Sequence, residues 1–308
     1  MNTEVLPVED DEIVKSNKPS PWVRLAKNTS VRVGGFLFSI ILLMSLFASL
    51  LTPLDPTDIN PSNRLKPPGY EGTLRDNDGN KYQVTARMGT DTLGRDIYAR
   101  VVYGARISLI VGIAVALISV AVGTFIGLVA GYFRWVDAIV MRFMDGLMAI
   151  PAILLAISLV ALSGASLTAV IIAISVPEIP RVVRLVRSIV LSIREEPYVE
   201  AAISVGTPTY LILWRHVLPN TISPLIVQGT FICGSAILLE AILSFLGVGI
   251  PPETPTWGNI MAEGRDFFQI YPHAIFFPGI FLSLTVLAIN MLGDGLRDTL
   301  DPRMEGKF

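Results

Sequence analysis

Two long runs without a single charge, residues 33–54 and 107–133, restrict this chain more than any other feature. A helix rises 1.5 Å per residue, so even the shorter run of 22 residues covers about 33 Å, enough to cross the hydrocarbon core of a bilayer. In water these segments would need burial on every side, and the rest of the chain cannot supply it. Hydrophobic residues make up 52% and charged residues 16%, with a mean hydropathy of +0.58, whereas a soluble domain carries about 25% charged residues. Lipid is therefore the expected solvent for most of the surface. Further apolar segments follow at 138–162, 167–180, 221–250 and 274–293. The expected fold is an all-α integral membrane protein with six transmembrane helices.

Besides the polar stretch 181–220, three segments outside the apolar runs are long. Residues 1–32 are polar and mixed in charge, which predicts a tail with a basic end next to the membrane. Residues 55–104 are rich in Pro, Gly and Asp and read as a long loop. Residues 251–273 read as a loop with a short helix from Gly258. A net charge of −2 gives no reason to expect nucleic acid. The single cysteine, Cys233, excludes an internal disulfide, and two distant histidines, His216 and His273, offer no metal-ligand cluster. The first apolar run starts near residue 33, behind a charged tail, and is long enough to span, so no cleavable signal peptide is expected.

Gly89 and Gly94 have the separation of a phosphate-binding loop, within GTDTLGRDIYARVVYGARISL. Such a loop needs Lys and then Ser or Thr after its second glycine, to reach phosphate and hold magnesium. Here Arg95-Asp96 follows, and the aspartate would repel phosphate. A turn at Gly94 leading into an amphipathic helix fits better.

Inside the apolar segments a few residues stand out. Gly123, Gly127 and Gly131 recur every four residues on one helix face and predict close helix packing. Arg142 and Asp145, three apart, could pair and would act as surface anchors before they acted as a pathway. Pro177 and Pro180 predict a kinked end to the fourth span. Glu240 stands ~30 Å along its helix from Thr221, near the far interface, which favours a capping or gating role over a proton relay.

A polar island, REEPYVEAAISVGTPTYLILWRHVLP at 194–219, separates the fourth and fifth apolar segments. Pro197 suits a first helical turn, and Gly206 followed by Pro208 suits a stop, so a short helix is expected over 197–205. A helix this short is not stable alone in water and should dock on something. Read by spacing alone it could be an ordinary amphipathic loop. The pattern Glu200-Ala201-Ala202, Gly206, Val217-Leu218-Pro219 resembles the EAA loop of ABC importer permeases, although His216 stands where that loop usually has an apolar residue. GTDTLGRD, SFLGVGIPPETPTWG (244–258) and NMLGDGLRDTLDPR (290–303) resemble the dipeptide/oligopeptide permease family, specifically its C-type subunit.

The resemblance implies a type I importer transmembrane domain over roughly 104–293, with the first span as an added peripheral helix that together with an external loop makes up 33–103, and cytoplasmic tails at 1–32 and 294–308. It implies a bacterial cytoplasmic-membrane complex with a homologous B-type permease, two ABC ATPase subunits and an external substrate-binding protein. Glu200, Ala201, Ala202, Gly206 and Pro219 would couple to the ATPase, and Glu240, Arg142 and Asp145 are candidates for a gate or interface. ATP and magnesium would reside in the partners, leaving no cofactor in this chain and no catalytic or metal-binding residue.

Basic residues set the expected orientation. Five Lys/Arg in the N-terminal tail, five in 181–220 and three in the C-terminal tail face none in 163–166 and one in 251–273. The 55–104 loop, with seven Lys/Arg and seven Asp/Glu, is too long to weigh heavily. Both termini and the island are thus expected in the cytoplasm. Two other function classes compete. A self-contained secondary transporter would show paired repeats and central ionisable groups, and a membrane enzyme would show clustered catalytic groups such as HExxH or GxSxG. Neither pattern is present. Within the family, peptide is the expected substrate, with nickel, glutathione and opines as alternatives.

Overall fold

The computed structural model describes residues 21–75 and 79–300. Most of the expected N-terminal tail and residues 301–308 of the C-terminal tail lie outside the described residues. A short helix α1 (Pro21–Lys27) leads into α2 (Thr29–Leu46), whose start is fixed by Asn28: its side-chain oxygen accepts from the Ser30 and Val31 amides at 2.8 and 3.3 Å. One turn, α3 (Ala48–Leu51), follows. The long loop then departs from expectation, because it contains an antiparallel hairpin, β1 (Tyr70–Arg75) and β2 (Lys81–Ala86), with Tyr70 opposite Ala86 and Arg75 opposite Lys81.

Helix α4 (Ile97–Tyr132) has 36 residues, about 54 Å. It begins ten residues before the uncharged run because the Asp96 carboxylate caps it, accepting from the Ala99 amide at 2.9 Å. The third span is not one helix. α5 (Arg134–Met148) and α6 (Ala152–Ser163) meet at 90°. Pro151 sits at the break and, by crowding the residue before it, steers Ile150 away from helical backbone. α7 (Leu167–Ile193) corrects the expected end at residue 180: it continues through Pro177 and Pro180 for 13 further residues. Packing explains this continuation. Val182, Val186 and Val190 lie against Gly123, Gly127 and Gly131 of α4, where a Cβ on each glycine would approach a valine Cβ to 2.5–2.7 Å. The glycine stripe thus seats the second half of α7, and that burial outweighs two missing backbone bonds.

The island forms α8 (Pro197–Ser204) and α9 (Thr209–Ile212), then a single π turn at Leu213–Val217 that leads directly into α10 (Leu218–Phe245). The fifth span therefore runs unbroken from Thr209 to Phe245, starting 12 residues before the expected 221. α11 (Trp257–Gly264) lies across the far ends of α4 and α10, and α12 (His273–Leu300) completes the described chain. Among the described residues, four helices can cross a membrane by length and composition, α2, α4, the α9–α10 helix and α12, and the bent α5–α6 limb is a fifth candidate. α7 is long enough but carries Glu178, Arg181, Arg184 and Arg187 in its second half.

Two apolar clusters hold the bundle. One joins α4, α7 and α10 through Val115, Ile174, Val186 and Ile232, and the other joins α4, α10, α11 and α12 through Val101, Ile237, Trp257 and Ile289. Large apolar side chains such as Phe36, Leu117 and Phe125 point outward, as expected where lipid rather than water surrounds the helices.

Candidate functional site: the polar island and the opposite face

The island is held by few anchors and presents an apolar surface. Pro197 occupies the first turn of α8, where its missing N–H leaves no bond unmade. Val199 is fully buried and pins the helix to the α4–α7–α10 cluster. The helix ends in a Schellman motif: the Thr207 amide donates to the Ala202 carbonyl at 3.0 Å and the Gly206 amide to Ile203 at 2.9 Å. Gly206 takes φ +80°, a conformation that disfavours any side chain. Glu200 and Ala201 are exposed and Ala202 is half-buried. Beside them Val205, Tyr210 and Trp214 are 81%, 73% and 72% exposed. So many large apolar groups in a polar segment mark a contact surface.

The remaining expected site residues are distributed around this surface. Pro219 lies in the first turn of α10, directly after the π turn. A proline leaves the carbonyl four residues back without its usual donor, and a π turn is one of the ways a helix absorbs such a gap. Tyr198 of α8 stacks obliquely on His216 of the π turn, ring centres 5.9 Å apart, and the Arg194 guanidinium donates to the Tyr132 carbonyl at 3.1 Å. Asp145 does not pair with Arg142 as expected. It accepts from Arg184 of α7 at 2.8 Å, while Asp137 takes Arg187, so the two carboxylates stitch α5 to α7. Arg142 is exposed.

Glu240 is completely buried five residues before the end of α10. Its Oε1 accepts from the Ser244 hydroxyl at 2.8 Å, and the hydroxyls of Ser108 and Thr256 lie beside it. The structure thus places it under α11, at the junction of α4, α10 and the 251–273 loop, and not in the same place as the island or the Arg142/Asp145 region.

The opposite face holds a charge network that sequence reasoning missed. Asp91 accepts from Arg95 and Arg100, each at 2.7 Å, and Glu263 of α11 takes both guanidiniums. Arg100 is 0% exposed, and its Nη2 also donates to Glu263 Oε1 at 3.1 Å and to the Pro252 carbonyl at 3.3 Å. Two cations and two carboxylates cancel, as buried charges must. Burial alone would raise the Asp91 carboxyl, but the Arg100 and Arg95 guanidiniums and two backbone amides hold it below its ordinary value. Asp96 has only weak compensation, and burial pushes it up to about 6. The phosphate-loop reading fails on geometry as well: a Cβ at Gly94 would stand 1.8 Å from the Asn60 carbonyl oxygen, so the loop is packed against its own chain. The sequence signal for the network was the acid–base density of GTDTLGRD, joined to a lone Glu263 some 160 residues away.

Comparison with known proteins agrees with this architecture. The profile described as "Binding-protein-dependent transport system inner membrane component" matches residues 123–306, and that of the "N-terminal TM domain of oligopeptide transport permease C" matches 20–68. The chain is 50% identical to a probable peptide ABC transporter permease protein of Sinorhizobium fredii over 282 residues, 91% of this chain and 92% of the relative. It is 43% identical to the dipeptide transport system permease protein DppC of Alkalihalophilus pseudofirmus, over 93% and 91% of the two chains. It is 38% identical to the glutathione transport system permease protein GsiD of Pectobacterium atrosepticum, over 97% and 96%. Membership of such a system implies ATPase and substrate-binding-protein partners. The chain belongs to the binding-protein-dependent inner membrane components and, among them, to the dipeptide/oligopeptide ABC transporter permeases of the C type, as a multi-pass transport subunit.

Proposed function

We propose that this permease imports di- or oligopeptides, and that the island couples it to ATP hydrolysis in a partner subunit. The observation that carries the coupling is the exposed apolar surface of Val205, Tyr210 and Trp214 beside a short helix pinned by Val199. A helix this short keeps its shape by packing, so its outer face needs a groove to enter. The ATPase supplies that groove. Closure of two ATPase subunits carries α8 as a rigid piece, and the continuous α9–α10 helix and α7 pass the movement to the spans. The pathway lies between this chain and a homologous B-type permease, and substrate arrives from the binding protein. This reading places the island and both termini in the cytoplasm and the hairpin outside. It assigns 104–293 to the transmembrane domain and 33–103 to the first span and external loop. Glu240 and the Arg142/Asp145 region serve at a gate or interface, with no catalytic group and no cofactor in this chain.

Peptide is favoured because relatives at 50% and 43% identity carry peptide names, against 38% for the glutathione relative. The test is uptake of labelled dipeptide and of labelled glutathione by the reconstituted complex. Glu200→Lys and Gly206→Asp should insert normally and abolish ATP-driven uptake. Normal uptake by both variants would refute the coupling role, and uptake of glutathione without dipeptide would replace the substrate.

A further inference from the structure

We infer that Arg100 is a positioning residue for transport: it fastens α11 and the hairpin-bearing layer to the head of α4, so that this face travels with α4 as one body instead of opening as a lid. The inference rests on the importer reading above for its assay and on the following geometry for its content. The guanidinium of Arg100 reaches three segments at once: Asp91 in the layer before α4, Glu263 in α11, and the Pro252 carbonyl in the loop between α10 and α11. Arg95 bridges the same two carboxylates. The layer itself is sewn to the segment that carries Asp91. The Asn60 amide donates to the Leu93 carbonyl, the Leu65 amide to Asp91, and the Thr90 amide to Lys66, all at 3.0 Å.

The rest of the α11 seat is equally committed. The Trp257 indole N–H donates to the Val101 carbonyl at 3.0 Å, with the ring fully buried. Asn259 Nδ2 donates to the carbonyls of Ile250, Pro251 and Thr254, each at 3.1 Å. A Cβ on Gly258 would come within 2.7 Å of the Ala241 carbonyl, so α11 also touches the α10 backbone. The other charges near α11, Arg265 and Asp266, are exposed and do not enter the network. An apolar contact can slide with little loss, but parting this seat would pull the Arg95 and Arg100 guanidiniums off Glu263 and break the hydrogen bonds that neutralise the network. Directional contacts of this number favour a fixed seat over a sliding lid.

A disulfide between α4 and α11 tests the inference. A Cβ at Gly104 would stand 3.5 Å from the Thr256 Cα, which brings the two Cα atoms within about 5 Å, inside the Cα range of a disulfide. Gly104→Cys/Thr256→Cys is made in a Cys233→Ala background, which removes the only native thiol, and the complex is reconstituted with its ATPase and binding-protein partners. The bond is scored by gel mobility after proteolysis between the two sites. Labelled dipeptide uptake and binding-protein-stimulated ATP hydrolysis are measured before and after reduction. The expected result is a bond that forms readily and leaves both rates within about twofold. Arg100→Gln alone should cut uptake at least roughly tenfold by leaving its carboxylate partners uncompensated, and oxidation of the tether in that background should restore it. Where Arg100→Gln does not assemble, the tether in the otherwise native chain decides. A tether that stops the cycle and is relieved by reduction overturns the inference, as does normal uptake by Arg100→Gln. If the untethered complex hydrolyses ATP on addition of binding protein but takes up no dipeptide, the substrate assignment fails and the hydrolysis readout still tests Arg100.

Discussion

The two ends of α4 meet the polar world in opposite ways. At its start, charges are inside: Arg100, Asp91 and Arg95 are buried and mutually neutralised, with Glu263 largely so. At its end, apolar groups are outside: Val205, Tyr210 and Trp214 stand exposed on an island held by Val199 and a few hydrogen bonds. The first arrangement makes a surface that keeps its shape without help. The second makes a surface that is complete only when something covers it. The difference separates a face held together by its own charges from one that, on the proposed coupling, a partner completes.

That contrast can be broken experimentally. The largest effect is expected at the buried network, where Glu263→Leu removes one carboxylate and leaves Arg95 and Arg100 in excess. Thermal unfolding of the purified complex should show a loss of about 3–5 kcal/mol, as for a broken buried ion pair; a loss under about 1 kcal/mol would mean that water already screens the network. Val205→Asp should do the reverse. It changes stability by no more than about 0.5 kcal/mol, as surface substitutions do, while uptake driven by ATP disappears. A stable variant with normal uptake would show that the exposed island face is not used.

A smaller effect separates Asp91 from Asp96. With a folded value near 6 against an ordinary value of 3.8, Asp96 binds its proton more tightly in the fold. Its contribution is therefore complete below about pH 4 and is lost as pH rises through 6. Asp91 is shifted the other way, so its contribution is present at neutral pH and is lost only as pH falls below about 4. Amide exchange at residues 97–100, corrected for intrinsic rates, should slow between pH 7 and pH 5, and Asp96→Asn should flatten the profile. Exchange that quickens over that interval would contradict the assignment. The smallest effect belongs to Asp145→Asn, which breaks an exposed pair with Arg184 and should cost about 1 kcal/mol at most.

Legibility in the sequence followed the range of the forces involved. Uncharged runs report lipid exposure directly, and the island's proline, glycine and EAA spacing marked α8 to within a residue of its observed end at Ser204. The glycines 123, 127 and 131 announced a close partner, but nothing local said that the partner was Val182, Val186 and Val190, so α7 was ended too early at its prolines. The pairing of Asp145 with Arg184 and of Arg100 with Glu263 joins residues 39 and 163 positions apart. Local spacing favoured Arg142 for the first and offered no partner for the second. Hairpin β1–β2 was obscured by the Pro, Gly and Asp that surround it.

The π turn at Leu213–Val217 carries one residue more than an α-helix would need, and one residue corresponds to about 100° of rotation. It acts as a fixed phase offset between the arm at Thr209 and the span that begins at Leu218. Because helical hydrogen bonding continues across it, the arm and the span form a cranked shaft and not a hinged one. Deleting a single residue there would leave every other side chain chemically intact and still turn Tyr210 away from whatever it meets.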